Sequence, residues 1–171
     1  MGEHYRKDKS TYKGEFKNGN YNGVGKEYFS DGSSFEGFFK DGSKNFGIYE
    51  FKNGSKYRGE FFNNVFHGKG VYTWPNKKIY DGHWINGKMN GLGRFTYPDG
   101  SFYEGEFLDG KKCGTGKYVW GKERYYEGKW KNDKQNGQGV YYDKNKIMKG
   151  NWVNGKISDN NIDIINKNNN F

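Results

Sequence analysis

One motif recurs along almost the whole chain, and a fixed period of this kind dictates architecture before any single residue does. The segments YKGEFKNG, FEGFFKDG, YRGEFFNN, YDGHWING, YEGEFLDG, YEGKWKND and MKGNWVNG begin at residues 12, 35, 57, 80, 103, 126 and 148, with spacings of 23, 22, 23, 23, 23 and 22. Each carries a glycine in third place: Gly14, Gly37, Gly59, Gly82, Gly105, Gly128 and Gly150. An aromatic follows two residues later: Phe16, Phe39, Phe61, Trp84, Phe107, Trp130 and Trp152. A second motif trails the first, clearest in HGKGVYTWPN from residue 67 and NGLGRFTYPDG from residue 90. Six repeats are full and the seventh is half. Gly2 stands ten residues before Tyr12, like the end of a preceding half-repeat.

Within a repeat the alternation has period two, which specifies strands. In YKGEF, Tyr12, Gly14 and Phe16 share one face, and Lys13 and Glu15 the other. The pairs Asn18-Gly19, Asp41-Gly42, Asn86-Gly87, Asp109-Gly110 and Asn154-Gly155 supply the positive φ of a tight reversal. Asn64 and Asp133 fill the same glycine position and tolerate that region. A returning strand such as Val71-Tyr72-Thr73-Trp74 then ends near Asp31-Gly32, Asn53-Gly54 or Asp99-Gly100. One repeat is therefore one β-hairpin. Composition agrees: the chain has no Ala and only Leu92 and Leu108 as leucines, against 28 Gly in 171 residues. Gly costs a helix interior about 0.8–1 kcal/mol relative to Ala, which excludes a helical bundle. The 20% aromatic content excludes general disorder. Glycine between two aromatics leaves bare backbone for rings to lie over, so a ladder of rings is expected to replace a two-layer core.

The pattern YEGEF, turn, NGxGxYxYPDG resembles the MORN repeat (membrane occupation and recognition nexus) over residues 12–156. The resemblance implies an all-β fold, an elongated single-layer antiparallel sheet of tandem β-hairpins, with about six full repeats and flanking half repeats. It also implies a scaffolding role without catalysis, and direct phospholipid binding has been proposed for the family. The expected organisation is an N-terminal half-repeat or arm at 1–11, the repeat domain at 12–156, and a C-terminal cap or disordered tail at 157–171. Repeat 2 departs from the pattern by one residue, with Phe46 where the first Gly of the GxG pair belongs. Repeats 5 and 6 lack the second turn signal, reading GKERYY and KNKIM. Ile162, Ile164 and Ile165 are expected to cover the last strand edge, since solenoid ends need caps.

No residue pattern carries catalysis. Gly82 to Lys88, Gly105 to Lys111 and Gly150 to Lys156 read G-x-x-x-x-G-K, but Met89, Lys112 and Ile157 occupy the Ser/Thr position. The spacing falls out of the repeat, so no cofactor is expected. His4, His67 and His83 are too scattered for a metal site, and Cys113 has no neighbouring base. Glu15, Glu60, Glu104, Glu106 and Glu127 alternate with Lys and Arg, and are expected to form cross-strand pairs. The single cysteine and the absence of an apolar leader lead to an expected cytoplasmic location, peripheral to membrane or cytoskeleton.

Two surfaces stand as candidates for binding. Residues 111–156 hold twelve basic and four acidic residues, a net +8 of the chain's +9. Lys111, Lys112, Lys117, Lys122, Arg124, Lys129, Lys131 and Lys134 are the residues expected to meet an anionic lipid or an acidic protein segment. Nucleic acid is disfavoured, because the aromatics are needed for the ladder. On the face opposite the rings, Phe62, Ile85 and Leu108 recur at one motif position, and alternation adds Val71 and Val119. A partner helix or a second copy of the chain is expected there. The leading expectation is a non-enzymatic scaffold or adaptor; the alternatives are an anionic-phospholipid module and a regulatory subunit of a separate signalling enzyme.

Overall fold

Aromatic residues alternating with glycine, and Asn-Gly or Asp-Gly pairs every 22 or 23 residues, are realised as antiparallel hairpins. The structure, a computed structural model, describes residues 1–144, 146–158 and 163–166. All regular structure among the described residues is β. The chain divides into two units, Met1–Lys88 and Met89–Phe171.

The first unit contains β1 (Gly2–Tyr5), β2 (Thr11–Lys17), β3 (Asn20–Tyr28), β4 (Ser34–Lys40), β5 (Ser43–Glu50), β6 (Lys56–Phe62), β7 (Val65–Thr73) and β8 (Ile79–Ile85). Each pairs antiparallel with the next. The second unit opens with β9 (Lys88–Thr96) and continues through β10 (Phe102–Leu108), β11 (Lys111–Gly121), β12 (Arg124–Lys131), β13 (Lys134–Asp143) and β14 (Lys146–Val153), paired in the same way. The outer edge of β14 is met by β15 (Lys156–Ile157) at one end and β16 (Asp163–Asn166) at the other. Ile164 and Ile165 lie in β16 opposite Met148 and Ile147; Ile162 is outside the described residues.

The reversals follow the expected chemistry. Asn18 and Gly19 have φ of 51° and 78°, Asp109 and Gly110 49° and 84°, and Asn63-Asn64 and Asn132-Asp133 are also positive at both positions. Two positive φ values in a two-residue loop make a type I′ turn, whose twist matches the flanking strands. The outer turns are held differently. Asp31 Oδ1 accepts from Ser33 N at 2.8 Å and Ser33 Oγ at 2.6 Å, and Asp99 does the same for Ser101. In repeat 5 that outer turn shrinks to the two residues Lys122 and Glu123, with Gly121 opposite Arg124.

Glycines line up across the strands. Gly14 faces Gly25, Gly25 faces Gly37, Gly47 faces Gly59 and Gly59 faces Gly70 in the first unit. Gly93, Gly105, Gly116, Gly128, Gly139 and Gly150 continue the same pairing in the second. The ring of the first motif residue lies on this bare strip. A Cβ on Gly105 would fall 2.5 Å from Gly116 Cα and 2.6 Å from Tyr103 Oη, so no side chain fits. The phenol then donates to a carbonyl of its own hairpin: Tyr12 to Glu15 at 2.8 Å, Tyr57 to Glu60 at 2.9 Å, Tyr126 to Lys129 at 3.0 Å. Tyr12, Phe35, Tyr57, Tyr80, Tyr103 and Tyr126 are the most buried aromatic residues among those described. The next aromatic meets them edge-on, as in Tyr57–Phe61 at 5.1 Å and Tyr57–Trp84 at 5.4 Å. Bare backbone therefore serves each hairpin's own ring first, and rings of neighbouring hairpins then close on that ring.

The expectation that all five glutamates form cross-strand ion pairs needs correction. Glu104 pairs with Arg94 at 3.4 Å and Glu127 with Lys117 at 3.1 Å. Glu15, Glu60 and Glu106 instead accept the backbone N–H of Val24, Lys69 and Thr115. Those amides lie in β-bulges, where the ladder shifts register between Gly14 and Phe16, Gly59 and Glu60, and Gly105 and Glu106. A bulge leaves backbone donors unpaired, and the carboxylate supplies the missing acceptor. The carboxylates also lie over Gly23, Gly68 and Gly114, whose φ values are 68°, 60° and 55°. Repeat 2, one residue short, has a smaller bulge between Phe38 and Phe39, and Phe38 replaces the glutamate.

Candidate functional site

Alternation divides every hairpin into a ring face and a back face, and they offer different chemistry. The back face of the first unit carries an apolar row that register creates. Val24 faces Phe38 and Phe38 faces Phe46, on the three adjacent strands β3, β4 and β5. Their exposures are 45%, 53% and 42%, and Ile48, two residues along β5, is 40% exposed. Directly opposed residues in an antiparallel pair have Cβ atoms ~4.5–5.5 Å apart, so these side chains form one cluster. Phe62 and Ile85 are also exposed on this face of the first unit, and Leu108 on that of the second. Phe62 borders a hollow of about 300 Å³ shared with Lys40, Asp41, Ser43 and Phe61. Val71 is half-buried, opposite Arg58 and Asp81.

The back face of the second unit is basic. Lys111, Lys131 and Lys134 are exposed there and carry no ion pair among the described residues, as does Lys122 in its turn. Lys117 is tied to Glu127 and lies 4.2 Å from the Tyr125 ring centroid. Lys129 donates to Thr115 Oγ1 at 2.9 Å, whereas Arg124 belongs to the ring face and lies over Trp120 at 5.4 Å. Val119 joins Phe102, Glu104, Lys117, Lys122 and Tyr125 around an open groove of about 740 Å³. The Arg94 guanidinium covers Phe102 at 3.7 Å.

Lys112 departs from this group. It stands beside Phe107 in the register and turns to the ring face. Its ammonium lies 4.8 Å from the Tyr118 centroid, 5.3 Å from Tyr103, and 5.5 Å from both Tyr97 and Trp130. It donates to Tyr97 Oη at 3.0 Å. Burial pushes its pKa down, while Tyr118 and Asp133 act the other way. The four rings also favour the charged form.

The first unit holds a second charged group on its ring face. Glu27, 2% exposed, occupies the column filled by Tyr49 and Tyr72 in later repeats. Arg6 meets it at 2.6 Å and Lys44 at 2.7 Å. Its Oε2 has no hydrogen bond of good angle, so the Lys44 contact is an ion pair rather than a directed bond. Lys44 also lies over Phe29 and Phe35, at 4.9 and 5.4 Å.

Neither Glu27 nor the Val24–Phe38–Phe46 row stands out as a binding residue in a reading of motif positions. The signals were present: Phe38 breaks the glutamate column, and Glu27 breaks an aromatic one. No group of three His, Cys, Asp or Glu side chains is placed to hold a metal ion among the described residues. Cys113 is a free thiol whose pKa is raised, first by burial.

A search of curated proteins returned no match. The family profile of the MORN repeat matches residues 12–34, 35–56, 57–78, 80–102, 103–122 and 126–147. These segments begin on the ring residues Tyr12, Phe35, Tyr57, Tyr80, Tyr103 and Tyr126, and each spans one hairpin with its glycine pair. On six successive matches covering most of its length, the chain belongs to the MORN-repeat family, whose hairpins commonly serve as protein- or membrane-interaction modules.

Proposed function

We propose that this protein is a non-enzymatic scaffold or adaptor that holds a protein partner on the face of its hairpins opposite the rings. The observation that carries this reading is the Val24–Phe38–Phe46 row, where three adjacent strands expose apolar side chains side by side. The ring face already buries the aromatics that hold the hairpins together, so the fold makes no use of this row. A contiguous apolar patch of this kind favours association with another protein surface. Phe62, Ile85 and Leu108 extend the same chemistry to other repeats. A second copy of the chain is one partner that would fit, and a signalling enzyme regulated by the scaffold is another.

The test replaces Phe38 and Phe46 with Ser in one variant, and Phe62, Ile85 and Leu108 with Ser in a second. Both should keep the wild-type far-ultraviolet circular dichroism and melting temperature, because the ring face is untouched. At least one should lose self-association in light scattering, or partner capture when the purified chain is immobilised. Retention of both activities by both folded variants removes this face from the binding function.

The basic back face of the second unit supports another reading, a peripheral module for anionic phospholipid. Lys111, Lys131 and Lys134 are exposed without counter-ions among the described residues. It is the weaker reading, since Lys117, Lys129, Arg124 and Lys112 are already engaged within the protein.

A further inference from the structure

Two lysines occupy the same place in two repeats, and among the described residues only one of them forms an ion pair. Lys44 stands beside Phe39 in repeat 2 and Lys112 beside Phe107 in repeat 5. Each backbone N–H donates to a turn side chain, Asn64 or Asp133, at 2.9 Å. Each ammonium lies over the ring nine residues earlier, Phe35 or Tyr103, and the ring fifteen residues earlier, Phe29 or Tyr97. For Lys44 the residue seventeen positions earlier is Glu27, whose carboxylate meets the ammonium at 2.7 Å. For Lys112 that residue is Phe95. Tyr97 Oη takes one hydrogen bond from Lys112, no carboxylate among the described residues is within ion-pair distance, and an ammonium has three donors.

The site is also open. Lys112 lies in a pocket of about 370 Å³ whose walls include Tyr118, Trp120 and Trp130. A cation fixed by rings, short of acceptors and reachable from solvent is complementary to an anion with apolar flanks. The Asp133 side chain on the pocket rim repels a dianionic phosphate more strongly than a singly charged carboxylate.

We infer that the Lys112 pocket is a receptor for one carboxylate of an acidic protein segment, an Asp or Glu side chain flanked by apolar residues, bound as Glu27 is bound by Lys44. This inference rests on the reading of the chain as a holder of protein partners, but it places a contact on the ring face, apart from the apolar row of the back face.

The test uses the full chain and a synthetic peptide with one central Glu between Leu residues, followed through the fluorescence of Trp120 and Trp130. The control peptide carries Gln in place of the Glu. The decisive variant is Lys112→Phe, because Phe66 fills the same column in repeat 3 and stacks on Tyr57 at 3.8 Å. That variant should keep the wild-type melting temperature. Wild type should prefer the Glu peptide over the Gln peptide by about tenfold, as a charge-assisted bond gives. Lys112→Phe should lose the preference, while Lys111→Gln and Lys131→Gln, on the back face and outside the pocket, keep it. The inference is overturned if wild type binds both peptides equally. It is also overturned if the Lys111 and Lys131 variants lose the preference as fully as Lys112→Phe, or if vesicles containing phosphatidylserine displace the Glu peptide from Lys112. Partner capture by wild type that persists in Lys112→Phe and fails with the Phe38 and Phe46 variant would reject this contact and leave the scaffold function standing.

Discussion

A buried ring in this protein does three things at once, and its substitutions separate them. Trp84 is 5% exposed, packs edge-on against Tyr57 and Tyr80, and donates its indole N–H to Gly70 O at 3.0 Å. Trp84→Ala should lower stability by about 3–5 kcal/mol in chemical denaturation, since the cavity has no second layer to collapse into it. Tyr57→Phe removes the phenol's bonds to Glu60 O and His67 O and should cost about 1 kcal/mol. Repeat 2 already uses Phe35 at that place, so the fold tolerates the loss. The buried phenols also predict an alkaline limit. Burial pushes Tyr126 up to about 12, and Tyr57, Tyr80 and Tyr103 are raised for the same first reason. A phenol in the unfolded chain ionises near pH 10. Stability from these groups is complete below about pH 10 and is lost as pH rises through the folded values. The share of tyrosinate absorbance that comes from the buried phenols should therefore rise together with unfolding. The full absorbance of all 15 tyrosines with native circular dichroism intact would show the buried phenols to be accessible.

At the scale of the hairpin, the bulge and the glycine pair are the parts that cannot be altered. Glu106→Ala removes the acceptor that meets Thr115 N at 2.6 Å and leaves a bulge amide to water. It should destabilise by about 1–2 kcal/mol, the range for a bond to a charged group reduced by exposure. Glu104→Ala, on the same strand and face, loses only the solvent-exposed Arg94 pair and should cost less than about 1 kcal/mol. Equal melting temperatures for the two variants would show that the bulge needs no carboxylate. Gly105→Ala should be worse than either, by about 1–3 kcal/mol or more, because its Cβ would meet both Gly116 Cα and the Tyr103 phenol. Outer turns set a smaller acid limit. Asp31 and Asp99 have lowered pKa values, caused first by the hydroxyls of Ser33 and Ser101. Their contribution is present above the unfolded value near 4 and is lost as pH falls through the folded one. Asp99→Asn should flatten that acid limb in a series of melting curves.

For the molecule as a whole, charge and apolar surface lie in different places along the chain. Net positive charge collects in residues 111–156, where Lys111, Lys131 and Lys134 are exposed on the back face of the second unit, and an exposed apolar row lies on that of the first. If the cations bind anionic vesicles, that binding should weaken steeply between low and physiological salt, where charges are screened over ~8–10 Å. Changing Lys111, Lys131 and Lys134 to Glu should abolish it. Flotation that is insensitive to salt, or equal on neutral vesicles, would reject a lipid role for this face. The apolar row should be indifferent to salt, so ionic strength alone can tell the two surfaces apart.

The hairpins were legible because everything that forms them is local. Alternation of period two, paired glycines and Asn-Gly or Asp-Gly at a fixed interval each act within one repeat. The MORN-repeat fold, the type I′ turns and the one-residue deficit of repeat 2 are therefore written along the chain. Side-chain partners are settled across strands, by register, and motif position alone does not supply them. Glu106 reads like Glu104 until the bulge gives it an orphan amide to hold. Lys112 reads like Lys111 until alternation turns one to the rings and leaves the other on the back face. Val24, Phe38 and Phe46 are far apart in sequence and become one surface only because three strands lie side by side. Repetition encodes the hairpin many times over, whereas each functional feature comes from a single break in the repeat, and pairing between strands decides what that break meets.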